Sequence, residues 1–157
     1  MIHSKDNPGV LIPPPLFYAA LFFASLFLQR KFPIQKEFFH GSPARITGVI
    51  IIMAGMFFNV PALRQFIKTK NTVVTIKPAS SLQTIGIYSV CRNPMYTGLL
   101  FIYLGLALIF GNWWTFILLP VLCLLIHYLI ILPEEKYLTR AFGTSYSDYR
   151  KRVRRWI

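Results

Sequence analysis

Acidic residues are scarce in this chain. It has 5 Asp+Glu against 17 Lys+Arg in 157 residues, and all charged residues together make up 14%, where about 25% is usual in soluble domains. So few charges cannot cover a soluble surface of this size, so the net charge of +12 must be segregated along the chain rather than spread over it. There are two cysteines, too few for a disulfide-stapled scaffold. Hydrophobic residues make up 55% of the chain and aromatics 16%, which excludes disorder. A soluble nucleic-acid module is disfavoured as well, because its basic surface would need a polar background. What is present in excess is apolar surface, and the composition points to one membrane domain.

Charge-free runs locate the spans. Val10 to Leu28 is nineteen residues without a charge, Ile46 to Leu63 is eighteen, and Pro94 to Leu132 is thirty-nine. As one helix the third run would be roughly 60 Å long, about twice the hydrocarbon thickness of a bilayer. It must fold back, and Gly111-Asn112-Trp113-Trp114 is the natural place. There, helix-ending Gly and Asn meet Trp residues of the kind that sit at headgroup level. Four spans are expected, at 10–28, 46–63, 95–110 and 115–132, the last two forming a helical hairpin.

Four spans put both termini on one side, together with loop 64–93. That side carries Lys5, five basic residues of the loop and seven of the tail, 13 in all, against Arg30, Lys31, Arg45 and Lys36 on the other, a split of 13 to 4. The positive-inside rule then places the termini and the loop in the cytoplasm, at the inner membrane if the source is bacterial. The first span is read as retained, because Pro13-Pro14-Pro15 interrupts what would be the apolar region of a signal peptide.

Several residues have simple structural readings. Gly48 and Gly55, like Gly98 and Gly105, repeat at seven residues and mark one face of each helix for close packing. Cys91 and Cys123 fall in different compartments of the fold, with no disulfide between them and no metal-ligand spacing to a His, so no metal site is expected. His127 lies inside a span, where an ionisable group is a functional candidate. The favoured reading is a neutral imidazole bonded to a neighbouring helix.

After Pro133 the sequence turns polar. Leu138, Phe142, Tyr146, Tyr149, Val153 and Trp156 recur at helical steps, with Arg150, Lys151, Arg152, Arg154 and Arg155 between them. Gly143 is expected to end one short helix, and Ser145 with Asp148 to open the next. The expected fold is thus all-α and integral to the membrane. It has about four transmembrane helices followed by a basic amphipathic tail, 133–157, suited to an anionic bilayer surface. Nucleic acid is not the expected partner of that tail.

Two of the scarce acids are adjacent, Glu134 and Glu135, where the fourth span leaves the bilayer. One reading is structural, since carboxylates complement the dipole of a helix that starts after Pro133. The other is chemical. The returning hairpin brings the pair to the face that holds Tyr88, Arg92, Asn93 and Tyr96, so that these groups converge on one polar pocket.

Gly86-Ile87-Tyr88, Arg92-Asn93-Pro94-Met95-Tyr96-Thr97-Gly98, Glu134-Glu135-x-x-Leu138, Phe142-Gly143-x-x-Tyr146-x-x-Tyr149 and Val153-x-Arg155 together resemble the isoprenylcysteine carboxyl methyltransferases and their phospholipid methyltransferase relatives. The likeness covers about residues 73 to 157. It implies an integral membrane enzyme that uses S-adenosylmethionine on a lipid or lipidated substrate. Tyr88, Asn93, Pro94, Tyr96, Gly98 and Glu135 would contact the cofactor, and Arg92 and Glu134 would be catalytic. Arg92 would orient an anionic group, with Arg140 as a second candidate for substrate binding. The family commonly has His where this chain has Asn93, which hydrogen-bonds but cannot titrate near neutrality.

Carboxyl methylation needs only an opposing cation, whereas an ethanolamine-type amine needs a proton acceptor such as Glu134. The rivals to prenylcysteine O-methylation are therefore phospholipid N-methylation, an NADPH-dependent sterol-type reduction with a similar C-terminal pattern, and a non-catalytic membrane subunit. No Gly-x-Gly-x-x-Gly fingerprint supports the reductase.

Overall fold

The computed structural model describes residues 8–10, 12–35, 39, 41–69 and 79–157. Among these residues there is no strand. Helix α1 spans Pro14–Lys31 and α2 spans Ser42–Lys68. A 3-10 turn, Gly86–Ser89, precedes α3, Pro94–Phe110, and α4 follows at Trp113–Ile126. A π-helical turn, His127–Ile131, joins α4 to α5, Leu132–Arg152.

Proline position sets several of these boundaries. α1 begins at Pro14 rather than at Val10, because proline fits the first helical turn, where its missing N–H is not needed, but not the interior. α2 runs past the charge-free stretch at both ends, as far as Lys68, and carries Pro61 within it. At Pro133 the chain does not start a separate helix. The ring cannot donate to the residue 129 carbonyl, and the register widens instead, with the Leu132 N–H bonding to His127 O. α4 therefore continues into the tail without a loop, for forty residues from Trp113 to Arg152.

The α3–α4 turn lies at the expected place. Gly111 ends α3 with φ 61°, the left-handed conformation that glycine adopts without strain. Asn112 Oδ1 accepts the Trp114 N–H at 3.0 Å and caps α4. Gly143 is also left-handed, at φ 52° and ψ −124°, and kinks α5 as its position in the sequence suggested.

α2 and α3 pack antiparallel through their glycines. A methyl group built on Gly48 would come within 2.7 Å of Gly105 O, and one on Gly55 within 2.6 Å of Gly98 O. The two seven-residue repeats thus face each other and let the backbones touch. α1 lies against α4 and α3, where Tyr18, Tyr103, Leu122, Ile126 and Ile130 form the main core. The Tyr18 and Tyr103 rings meet edge to face at 6.4 Å.

The outer surface remains apolar. Phe23, Phe27, Ile50, Met53 and Phe57 are all exposed. Ser42–Lys68 and Trp113–Arg152 are long and apolar enough to cross a membrane, with mean hydropathies of 2.0 and 2.6 over their most apolar windows. Only 22% and 28% of those windows are buried inside the protein, so they are not the core helices of a soluble fold. The polar end of Trp113–Arg152 extends beyond the ~30 Å that a bilayer spans.

Candidate active site

The site forms where α3 begins, α5 begins and the chain end returns. Tyr88, in the 3-10 turn, stacks on Phe66 of α2 at 5.8 Å, and its carbonyl accepts the Tyr149 hydroxyl of α5 at 2.6 Å. The Arg92 N–H donates to Arg154 O at 2.9 Å, and Asn93 Nδ2 to Arg155 O at 3.2 Å. Asn93 O in turn accepts both the N–H and the hydroxyl of Thr97, each at 3.0 Å, which starts α3. The Tyr18 hydroxyl donates to Tyr96 O at 3.0 Å and ties α1 to the same end.

Glu135 is the electrostatic centre. It lies 3.1 Å from Arg92 Nη1, while Arg155 grips both its oxygens, Nε to Oε1 at 3.0 Å and Nη2 to Oε2 at 2.8 Å. The Arg92 and Glu135 side chains are 9% and 10% exposed, so these charge-assisted bonds offset a real desolvation cost. Glu134 has a neutral partner instead, the Tyr96 hydroxyl, which donates to its Oε2 at 2.8 Å. The residue as a whole is partly exposed, but its carboxyl head is enclosed beyond the apolar stretch. Burial pushes this carboxyl above the ordinary range, the Tyr96 bond pulls it back in part, and the neighbouring Glu135 charge pushes it up again. Burial likewise raises the Tyr88 and Tyr149 phenols and pushes Tyr146 up to about 12.

These groups line a cleft with about 920 Å³ of empty space, including its open mouth. Among the described residues, three buried side-chain polar atoms lack a partner: Gln29 Oε1, Tyr103 Oη and Arg92 Nε. Of these residues Arg92 alone lines the cleft.

Tyr88, Arg92, Asn93, Pro94, Tyr96, Glu134 and Glu135 all belong to the lining. Gly98 does not. A methyl group on it would meet Asn59 Nδ2 and Gly55 O, each at 2.6 Å, so this glycine serves helix packing rather than a ligand. Arg140 is exposed and outside the lining as well. His127 also lies outside it, with its ring edge-on to Tyr128 at 4.9 Å.

The tail face differs from the one expected. Tyr146 and Tyr149 are buried, but the first turns bury Tyr137 in place of Leu138 and Phe142, because the Gly143 kink rotates one half of α5 against the other. Trp156 packs on the core rather than outward. Among the lining residues outside the expected site are Phe66, Gln83, Tyr137, Tyr146 and Tyr149, and Arg155 joins from outside the lining by holding Glu135. Arg155 had a signal, its place in Val153-x-Arg155. Gln83, whose amide bonds to Gln65 and Ser81, had none.

The sequence profile of the phospholipid methyltransferase family matches residues 43–145. The protein-S-isoprenylcysteine O-methyltransferase of Schizosaccharomyces pombe is 29% identical over 133 residues, which is 83% of this chain and 56% of that protein. This chain thus spans little more than half the length of that relative. An uncharacterized protein of Haemophilus influenzae is 38% identical over 63 residues, which is 40% of this chain and 100% of that protein. No solved structure matches. The family match covers most of the chain, including the Arg92 turn and the Glu134–Glu135 pair, so this protein belongs to the phospholipid methyltransferase family of membrane methyltransferases.

Proposed function

We propose that the chain transfers a methyl group from S-adenosylmethionine to a lipid or lipidated acceptor in this cleft, most like prenylcysteine carboxyl O-methylation. The observation that carries the reading is the meeting of Arg92, Glu135, Glu134 and Tyr96 at the polar end of an otherwise apolar bundle. Four spans hold the site at the cytoplasmic face, with both termini, loop 64–93 and tail 133–157 on that side, where the soluble methyl donor is available.

The residues present fit such a cofactor. Arg92 Nε is an orphaned donor suited to a carboxylate. Glu134 has lone pairs beyond the one given to Tyr96, suited to ribose hydroxyls or an ammonium group. The cofactor, when bound, supplies a methyl group already activated as a sulfonium. The protein's task is then alignment and exclusion of water. Asn93 and Tyr96 hold the cofactor's amino-acid end together with the free edge of Arg92, whose Nη1 side stays with Glu135.

One observation favours a second acceptor class. Glu134 lacks a cation partner in the described ion pairs and is raised by burial, which suits it to take the proton of an ethanolamine-type amine. The family match supports methyl transfer over nicotinamide-dependent reduction or a non-catalytic subunit.

The test is calorimetry on detergent-purified protein with S-adenosylmethionine, S-adenosylhomocysteine and NADPH. Binding of the first two, weakened by Arg92→Ala and Glu134→Gln in folded protein, is expected. NADPH binding alone, or binding of none, overturns the reading. Labelled-methyl transfer to prenylcysteine analogues against phosphatidylethanolamine vesicles then separates the acceptors.

A further inference from the structure

α5 ends at Arg152, and Val153 turns to extended backbone at φ −118° and ψ 130°. The next three residues form a strap over the start of α3. Arg154 O takes the Arg92 N–H, Arg155 O takes Asn93 Nδ2, and Trp156 anchors on the core. From this strap Arg155 reaches Glu135 with the parallel pair of bonds that a guanidinium makes to a carboxylate.

The charges show what the contact achieves. Without Arg155, Arg92 would be the one cation left on the buried Glu135 carboxylate and would be drawn fully onto it. With it, two cations share the Glu135 carboxylate, and Arg92 reaches it through Nη1 only. Arg92 Nε then stays unpaired beside the cleft. An incidental surface bridge would not look like this, since the Glu135 side chain is 10% exposed and that of Arg155 only 28%.

We propose that Arg155 is a positioning residue, which holds Glu135 from the strap and so keeps Arg92 aimed into the cleft with a free edge for an anionic ligand group. The proposal rests on reading the cleft as the cofactor site, so its test includes one arm that needs no ligand.

The first arm is a cycle of Arg155→Met, Glu135→Gln and the double variant, read as affinity for S-adenosylhomocysteine by calorimetry. Each single change is expected to weaken binding about tenfold, and the double change no more than the worse single one, because both act through one contact. Added guanidinium chloride should restore Arg155→Met but not the double variant. Additive losses, or unchanged affinity in folded Arg155→Met, overturn the proposal. The second arm uses Cys91, which is fully buried beside Arg92, in a Cys123→Ser background. Faster alkylation of Cys91 in Arg155→Met supports the strap, and an unchanged rate overturns it. If the parent protein binds no adenosyl ligand, the proposed function falls while the alkylation arm still decides the role of Arg155.

Discussion

Two polar clusters lie at opposite ends of the helix bundle and differ in what they leave unsatisfied. At the α3–α4 turn, the Ser25 hydroxyl lies 2.8 Å from that of Thr115 and accepts Asn112 Nδ2 at 3.0 Å, and all three residues are buried. These groups are neutral and bonded to one another. At the other end the groups are charged, two cations gather on one carboxylate, and an Arg92 donor and a Glu134 carboxyl remain for something else. A closed neutral network locks helices together, whereas a charged network with spare valences is costly to build for packing alone. The difference separates a lock from a site within one small membrane fold.

The comparison breaks most readily at Glu135. Glu135→Ala leaves Arg92 and Arg155 without their anion, and a loss of about 3 kcal/mol in mixed-micelle unfolding is expected, together with loss of cofactor binding. Near-normal stability would mean that the charged end is no more than a solvated surface. A smaller effect is expected at the lock. Asn112→Ala removes both the helix cap and the bond to Ser25, and should cost about 1–2 kcal/mol while cofactor affinity stays within about twofold. A matching loss of affinity would show that the two ends are coupled.

The smallest effect concerns pH. Because the Glu134 carboxyl is raised on folding, its contribution to stability is complete below the ordinary carboxylate range and is lost as pH rises through the raised value. The decline can be no steeper than about 1.4 kcal/mol per pH unit for one proton. Glu134→Gln should flatten that decline in a series of thermal midpoints measured across the acid range. An unchanged slope would assign the titration to another group.

Much of this architecture was legible in the residues. Gly111 and Asn112 turn the long apolar run back on itself because one ends a helix and the other caps the next. The glycine repeats marked one face of each helix for close packing, and α2 and α3 meet on those faces, since only a residue without Cβ admits that approach. The Arg92 turn and the Glu pair were expected at one end, and they meet there. Other residues carried two signals, and packing chose between them. Gly98 sits in the same motif as Arg92 yet packs on α2, because one helical turn carries it away from the cleft. Pro133 looked like a helix start but lies in a continuous helix, because a π turn absorbs the missing bond.

Charge-free run lengths, the 13 to 4 distribution of basic residues and the glycine and proline punctuation are local properties. They carry the membrane class and the expected span positions and sidedness, because bilayer thickness and backbone sterics act on short stretches of chain. The choice of Arg155 among the tail's basic residues as the partner of Glu135 is of another kind. It depends on the kink at Gly143, the turn to extended backbone at Val153 and the anchoring of Trp156. Small changes in those angles move a terminal guanidinium by several ångströms, so the packed chain decides that contact.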